Sequence, residues 1–79
     1  MLYFDKIKEK HGHDIANIVA GSLEELQTDG LNITSHILEL AITHYHNNSD
    51  LIGSMSLLSE KRRYITQFIR EARWWKYFY

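Results

Sequence analysis

Between Ser59 and Tyr79 the apolar side chains recur every three or four residues, the spacing of one face of an α-helix. The chain of 79 residues contains no proline, and its four glycines are well separated. Proline disrupts the interior of a helix, so its absence favours a chain that is helical over most of its length. The sequence therefore predicts an all-α fold whose longest helix covers about residues 60–77 at the C-terminus.

Two further helices are predicted before residue 31. Residues 2–10 are predicted to form a short first helix with a small apolar patch, and the triplet His11-Gly12-His13 ends it. Asp14 is predicted to cap the second helix, because its short side chain can accept a hydrogen bond from a free amide of the first turn. Gly30 is predicted to end that helix, since glycine adopts the left-handed cap most easily. One side of the second helix is thin enough for another helix to approach closely, at Ala16, Ala20 and Gly21.

A third helix is predicted at about residues 33–46, with Asn32 as its N-cap. It is apolar over most of its circumference, so we expect it to be the central and most buried helix. A short fourth helix is expected within residues 51–58, and Ser59 is predicted to cap the C-terminal helix. The short connections favour a small bundle of four to five helices that forms a single domain, residues 1–79.

Composition excludes several classes of protein. There is no cysteine, so disulfides and thiolate zinc sites are excluded. A hydrophobic content of 44 % is too high for a disordered chain. No apolar run approaches the ~20 residues of a membrane span, and the first residues lack the order of a signal peptide. We expect a cytoplasmic protein that gains stability from self-association or a permanent partner, because so small a domain buries little surface.

Charge is unevenly distributed along the chain. Residues 11–59 contain six carboxylates and no lysine or arginine, whereas residues 60–79 contain six basic residues and two acidic ones. All five histidines fall in the acidic block. This asymmetry indicates either pairing of the two blocks within the fold or separate acidic and basic faces for partners.

Viewed down its axis, the C-terminal helix separates into two faces at about 100° per residue. The predicted core face holds Tyr64, Ile65, Phe68, Ala72, Trp75 and Tyr79, with Ile69 at its edge. The opposite face holds Arg63, Thr66, Gln67, Arg70, Arg73, Trp74 and Tyr77. Aromatic and arginine side chains together on a nominally exposed face call for an explanation.

Three interpretations of that opposite face remain open. The first is structural: Trp74 and Tyr77 pack on a neighbouring helix or a second copy, and the arginines pair with the acidic block. The second is a protein-binding surface, because arginine and tryptophan dominate interface hot spots. The third is a nucleic-acid-binding module, because arginines contact phosphates and aromatic rings stack on bases. The candidate partner-binding residues are Arg63, Gln67, Arg70, Arg73, Trp74 and Tyr77.

The histidines do not predict a metal site. His11-Gly12-His13 and His44-Tyr45-His46 are two His-x-His pairs. Residues two apart on a helix point in nearly opposite directions, so His44 and His46 cannot bind one ion unless the helix has ended. We interpret all five histidines as solvent-facing or loop residues, and we expect no metal and no other cofactor. Because unperturbed histidine titrates near pH ~6.5, the acidic block should lose its net charge on mild acidification. We expect association or solubility to change between about pH 5.5 and 7.

No motif predicts catalysis. The sequence lacks a nucleophile elbow, a phosphate-binding glycine loop and a cysteine nucleophile. A helix-turn-helix around Gly21 is rejected, because its recognition helix would carry Glu24, Glu25 and Asp29, which repel phosphate. The sequence therefore predicts a small non-enzymatic binding or regulatory protein that presents a helical surface to a protein partner, as a phage-type inhibitor or an adaptor does. It predicts self-association into a homo-oligomer and no membrane or small-molecule substrate; nucleic acid is the alternative partner.

Overall fold

A computed structural model describes residues 2–72, and these form five helices with no β-strand among them. We number them α1 (Leu2–His11), α2 (residues 13–28), α3 (Ser35–Asn47), α4 (Ser49–Ser54) and α5 (Leu58–Ala72). The predicted small all-α bundle is confirmed. With 15 residues, α5 is the longest uninterrupted α-helix of the described part. Its predicted continuation to residue 77 lies outside the described residues, and so do the predicted core-face residues Trp75 and Tyr79.

The break between α1 and α2 is a single glycine. Gly12 has a φ of +99°, a backbone conformation that residues other than glycine rarely adopt. The next helix begins directly at His13 and has no side-chain cap. The prediction that Asp14 caps α2 is therefore wrong, because the turn at Gly12 is so tight that Asp14 already lies in the first helical turn.

The C-terminus of α2 ends as the sequence predicts. Gly30 has a φ of +100°, and its amide donates to the carbonyl of Gln27 at 3.0 Å. The Leu31 amide donates to the carbonyl of Leu26 at 2.9 Å. These two bonds form a Schellman motif, which satisfies carbonyls at the helix end. Leu31 is also buried, so the motif directs the chain back into the core.

The central helix is α2, not α3 as the sequence predicts. Helix α2 contains a π-helical turn, Ala16–Ala20, and contacts α1, α3 and α5. Its buried residues are Ala16, Ile18, Val19, Ala20, Ser22, Leu23 and Leu26. Only Ile37 and Ala41 are buried in α3. Small side chains make α2 less hydrophobic in sequence, yet they let neighbours approach closely, so burial follows packing rather than hydropathy.

Two predicted N-caps are also wrong. Thr34, rather than Asn32, caps α3, because its hydroxyl accepts a hydrogen bond from the amide of Ile37 at 3.3 Å. Helix α5 begins before Ser59, and the carboxylate of Glu60 accepts a hydrogen bond from the amide of Leu57 at 3.3 Å. This is one of the two hydrogen bonds of a capping box, the one in which the side chain of the third helical residue accepts from the backbone amide of the N-cap residue.

The core side of α5 differs partly from the predicted one. Ile65, Ile69 and Ala72 are buried as core residues, whereas Tyr64 and Phe68 are only partly buried. Thr66, predicted to lie on the opposite face, is 2 % exposed. Its hydroxyl donates to the carbonyl of Arg62 at 2.8 Å, which satisfies its polar group on the side that faces α2.

The bundle has one continuous core. It is built mainly from aliphatic side chains of α2, with contributions from every other helix, including Ile7, Ile37, Ile52, Ile65 and Ile69. None of the helices within residues 2–72 is long and apolar enough to cross a membrane.

Candidate functional site: an arginine-lined groove between two helices

A groove with a volume of about 390 Å³ runs along α5 where that helix faces α2. We call it the arginine groove; its lining residues are Glu25, Ser59, Arg62, Arg63, Thr66, Gln67 and Arg70. All but Glu25 belong to α5, and most of them lie three or four residues apart, the spacing that forms one stripe on a helix. The groove is therefore a row of α5 side chains bordered by α2.

Arg62 is held in place by three contacts with α2 and α5. Its Nε donates to the carbonyl of Asn17, in the π-helical turn, at 3.1 Å. Its own carbonyl accepts hydrogen bonds from the hydroxyls of Ser22 and Thr66, both at 2.8 Å. The two terminal guanidinium nitrogens form no hydrogen bond or ion pair with the described residues. The Nε bond therefore orients the guanidinium, so less side-chain entropy is lost when a ligand binds the terminal nitrogens.

Gly21 makes this position of Arg62 possible. A Cβ atom built on Gly21 would lie 2.6 Å from Nε of Arg62, well inside van der Waals contact. The backbone of Gly21 is ordinary helix, with φ of −60° and ψ of −43°, so the glycine is not required for a turn. The predicted thin side of α2 is confirmed here, and the group that occupies it is the Arg62 side chain.

Arg63 and Gln67 lie on the exposed side of the groove. Both side chains are exposed, and neither forms a hydrogen bond or ion pair with the described residues. Arginine stays charged at any physiological pH. The guanidinium of Arg63 is therefore a full positive charge that no residue of the described chain neutralises.

Arg70, at the far end of the groove, is paired. Its Nη2 donates to Oδ2 of Asp29, the residue that follows the last turn of α2. The two side chains are 45 % and 53 % exposed, so solvent screens the pair and we expect it to contribute at most about 1 kcal/mol to stability. The predicted pairing of the arginines with the acidic block is thus confirmed for Arg70, and Arg63 makes no such pair.

The structure brings together only part of the predicted site. Arg63, Gln67 and Arg70 line the groove, whereas Arg73, Trp74 and Tyr77 lie outside the described residues. Sequence reasoning missed Arg62, whose Nε is hydrogen-bonded to the Asn17 carbonyl of α2. Gly21 was the available signal, because a glycine inside a helix costs stability and indicates a close approach by another group.

The five histidines are not all solvent-facing, and His44 corrects that prediction. The His44 ring stacks on Phe68 of α5, with centroids 3.5 Å apart and planes 5° apart, and lies 5.2 Å from the Tyr64 ring. Its Nδ1 lies 3.3 Å from Nδ2 of Asn48. Burial lowers the pKa of His44 below its ordinary value of 6.5. His44 is therefore a packing residue that joins α3 to α5.

A second cavity of about 530 Å³ lies between α1 and α3. Ile7, Leu38 and Ile42 form its apolar floor, and charged residues of both helices form its rim. Within residues 2–72, no group of three or more histidine, aspartate or glutamate side chains could hold a metal ion.

No protein-family model, curated protein or solved structure matches this chain. The functional argument therefore depends on the geometry of the arginine groove.

Proposed function

We propose that this chain is a small non-enzymatic protein-binding module that uses the arginine groove and the exposed side of α5 to contact a protein partner. The supporting observation is the pair of adjacent arginines in different states: Nε of Arg62 bonds to Asn17, whereas Arg63 is exposed and has no partner among residues 2–72. Preorganised and unpaired guanidinium groups at the edge of a groove are suited to an interface hot spot. Such a module acts as an inhibitor or adaptor in the cytoplasm.

A protein partner fits the groove better than nucleic acid does. Asp29 already pairs with Arg70, so among the described residues only Arg62 and Arg63 line the groove with guanidinium nitrogens that carry no partner. From Ser59 to Arg70 the row of side chains is about 16 Å long, at about 1.5 Å per helical residue. Nucleic-acid-binding surfaces are more extensive and much more positively charged than this.

The test is a charge reversal in the groove with a matched control. Wild-type protein, Arg63→Glu and Lys61→Glu would each be used to capture partners from the native host, and the captured protein would be purified for calorimetry. Lys61 is on the same helix but does not line the groove. Because lysine and arginine each carry one positive charge, both variants change the net charge equally. We expect Arg63→Glu to weaken binding about tenfold or more, because loss of an interface hot spot costs about 2 kcal/mol or more. Lys61→Glu should bind like the wild type.

Two results would contradict the proposal. Equal losses in both variants would mean that overall charge, rather than the groove, drives binding. A mobility shift with DNA or RNA that disappears in Arg63→Glu and falls steeply with salt would instead support the nucleic-acid alternative.

A further inference from the structure

We infer that the arginine groove binds an acidic peptide segment, and that Asp29 competes with that segment for Arg70. This inference rests on the proposed function and names the chemistry of the partner. Its three premises are the guanidinium donors of Arg62 and Arg63 that bind no residue within 2–72, the length of the groove, and the carboxylate that already pairs with Arg70.

The free donors select an oxyanion. A guanidinium presents parallel N–H groups that match the two oxygens of a carboxylate, and such charge-assisted bonds are stronger than neutral ones. Arg62 offers both terminal nitrogens, and Arg63 offers its whole side chain. Gln67 and Ser59 line the same groove with neutral polar groups that can hydrogen-bond to a peptide backbone.

The length of the groove suits a short extended segment. A row of about 16 Å corresponds to about five residues of extended chain, at about 3.3 Å per residue. Arg63 and Arg70 are separated by about 10 Å along the helix axis. Acidic side chains two or four residues apart in an extended segment point to the same side, so they can reach both arginines at once.

The ion pair at Arg70 shows which anion fits that end of the groove. Asp29 places a carboxylate oxygen on Nη2 of Arg70 from within the same chain. The pair is exposed on both sides, so it can exchange with an external carboxylate. Asp29 is therefore an internal competitor, and its removal should make Arg70 available to the ligand.

The probe is a capped hexaglutamate peptide, titrated at low ionic strength into the ¹⁵N-labelled 79-residue chain and followed by NMR. We expect the Nε–H signals of Arg62, Arg63 and Arg70 to shift together. Arg63→Gln should weaken binding about fivefold or more, because it removes a charge-assisted contact. Lys61→Gln, outside the groove, should remain within about twofold of the wild type.

The competitor is tested by Asp29→Asn, with Asp50→Asn as the control. Asp50 is an exposed carboxylate on α4 that does not line the groove. Loss of an exposed ion pair corresponds to a factor of about 1.5 to 5, so Asp29→Asn should tighten peptide binding by that factor. Asp50→Asn should change binding less. The gain should disappear when Arg70→Gln is added to Asp29→Asn, since the two residues act through one contact.

Several outcomes would overturn the inference. Equal weakening by Lys61→Gln and Arg63→Gln would show non-specific attraction, and signal shifts confined to Lys6 and Lys10 would place the peptide elsewhere. Inorganic phosphate binding as tightly as hexaglutamate would show a simple anion site, and tighter binding of a short oligothymidylate would show a nucleic-acid groove. No gain from Asp29→Asn would refute the competition. If hexaglutamate fails but Arg63→Glu still loses the host partner, the acidic-segment inference is wrong and the proposed function stands.

Discussion

At the scale of single residues, His44 is held as a neutral ring. Asn48 donates one Nδ2 hydrogen bond to the His44 carbonyl at 3.0 Å and places the same nitrogen beside Nδ1. If Nδ1 of His44 were protonated, two N–H donors would face each other. Flipping the Asn48 side-chain amide would not help, because its oxygen would then face the carbonyl oxygen of His44. The Tyr64 ring lies nearly parallel to the His44 ring, with centroids 5.2 Å apart, and adds to its burial. Both packing and hydrogen bonding therefore favour the neutral form.

This environment predicts that stability falls on acidification. Burial lowers the pKa of His44 in the folded chain, whereas unfolded histidine keeps a pKa near 6.5. Between these two values the unfolded chain binds more protons, so the free energy of unfolding decreases as the pH drops below about 6.5 and levels off below the folded-state pKa. Thermal melts between about pH 7.5 and pH 5 should show this decline in the wild type.

His44→Phe is the variant that isolates this effect. It keeps a stacked ring and removes the titration, so its melting temperature should fall less over the same pH range. His36→Gln, an exposed position on the same helix, should retain the wild-type decline. Identical declines in His44→Phe and the wild type would mean that other groups cause the loss.

Gly21 allows function to be separated from stability. A methyl group at this position must displace the Arg62 side chain, which is flexible and can move. Replacing a helical glycine by alanine gains about 0.5–1 kcal/mol, and losing the Arg62–Asn17 hydrogen bond costs a similar amount. In urea denaturation we expect the free energy of unfolding of Gly21→Ala to be within about 1 kcal/mol of the wild-type value. Its binding of hexaglutamate should be weaker.

Gly53 provides the matched control. It lies in α4, and no atom would lie within 4 Å of a Cβ added there. Gly53→Ala should therefore gain up to about 1 kcal/mol and leave hexaglutamate binding unchanged. Full-affinity binding by Gly21→Ala would show that the position of Arg62 does not matter to the groove.

At the scale of helices, the N-cap of α3 is expected to contribute to stability. Thr34→Ala removes the hydroxyl that accepts from the Ile37 amide, so it should lower the free energy of unfolding by about 1 kcal/mol. Asn32→Ala, at the position predicted from sequence, should have little effect. Thr43→Ala, exposed in the middle of α3, should be neutral or slightly stabilising because alanine favours helix. A larger loss from Asn32→Ala than from Thr34→Ala in urea denaturation would contradict the structure.

At the scale of the whole molecule, three leucines are left outside the core around the connection from α4 to α5. Leu51, Leu57 and Leu58 are 49 %, 59 % and 43 % exposed. If the chain self-associates, these side chains are the apolar surface available for contact among the described residues. We expect Leu51→Gln combined with Leu57→Gln to reduce association in sedimentation equilibrium. Stability at high dilution should change by about 0.5 kcal/mol or less per exposed site. Equal association by the double variant would exclude this surface.

Sequence reasoning placed the helices well and the caps poorly. The interruption at Gly12 and the end of α2 at Gly30 could be predicted, because positive φ is a local property of glycine. The caps could not be assigned, because Asn32 and Thr34 are both favourable N-cap residues and packing selects Thr34 although asparagine is the stronger cap. The buried Thr66 was placed on the wrong face because its hydroxyl is polar, yet that hydroxyl donates to the Arg62 carbonyl one turn back in the same helix, so the side chain can be buried without an unsatisfied group.

What the sequence alone determined was the α-helical class, the approximate division into five helices and the row of arginines on the last of them. These depend on periodicity and on glycine, which act within a few residues of the chain. What only the tertiary structure decided was the central position of α2, the stacking of His44 on α5 and the state of each arginine. Arg62 and Arg63 are adjacent and chemically identical, yet Arg62 bonds to Asn17 and Arg63 bonds to none of the residues that the structure describes. That difference arises because Asn17 lies 45 residues away in sequence and meets Arg62 only when the helices pack.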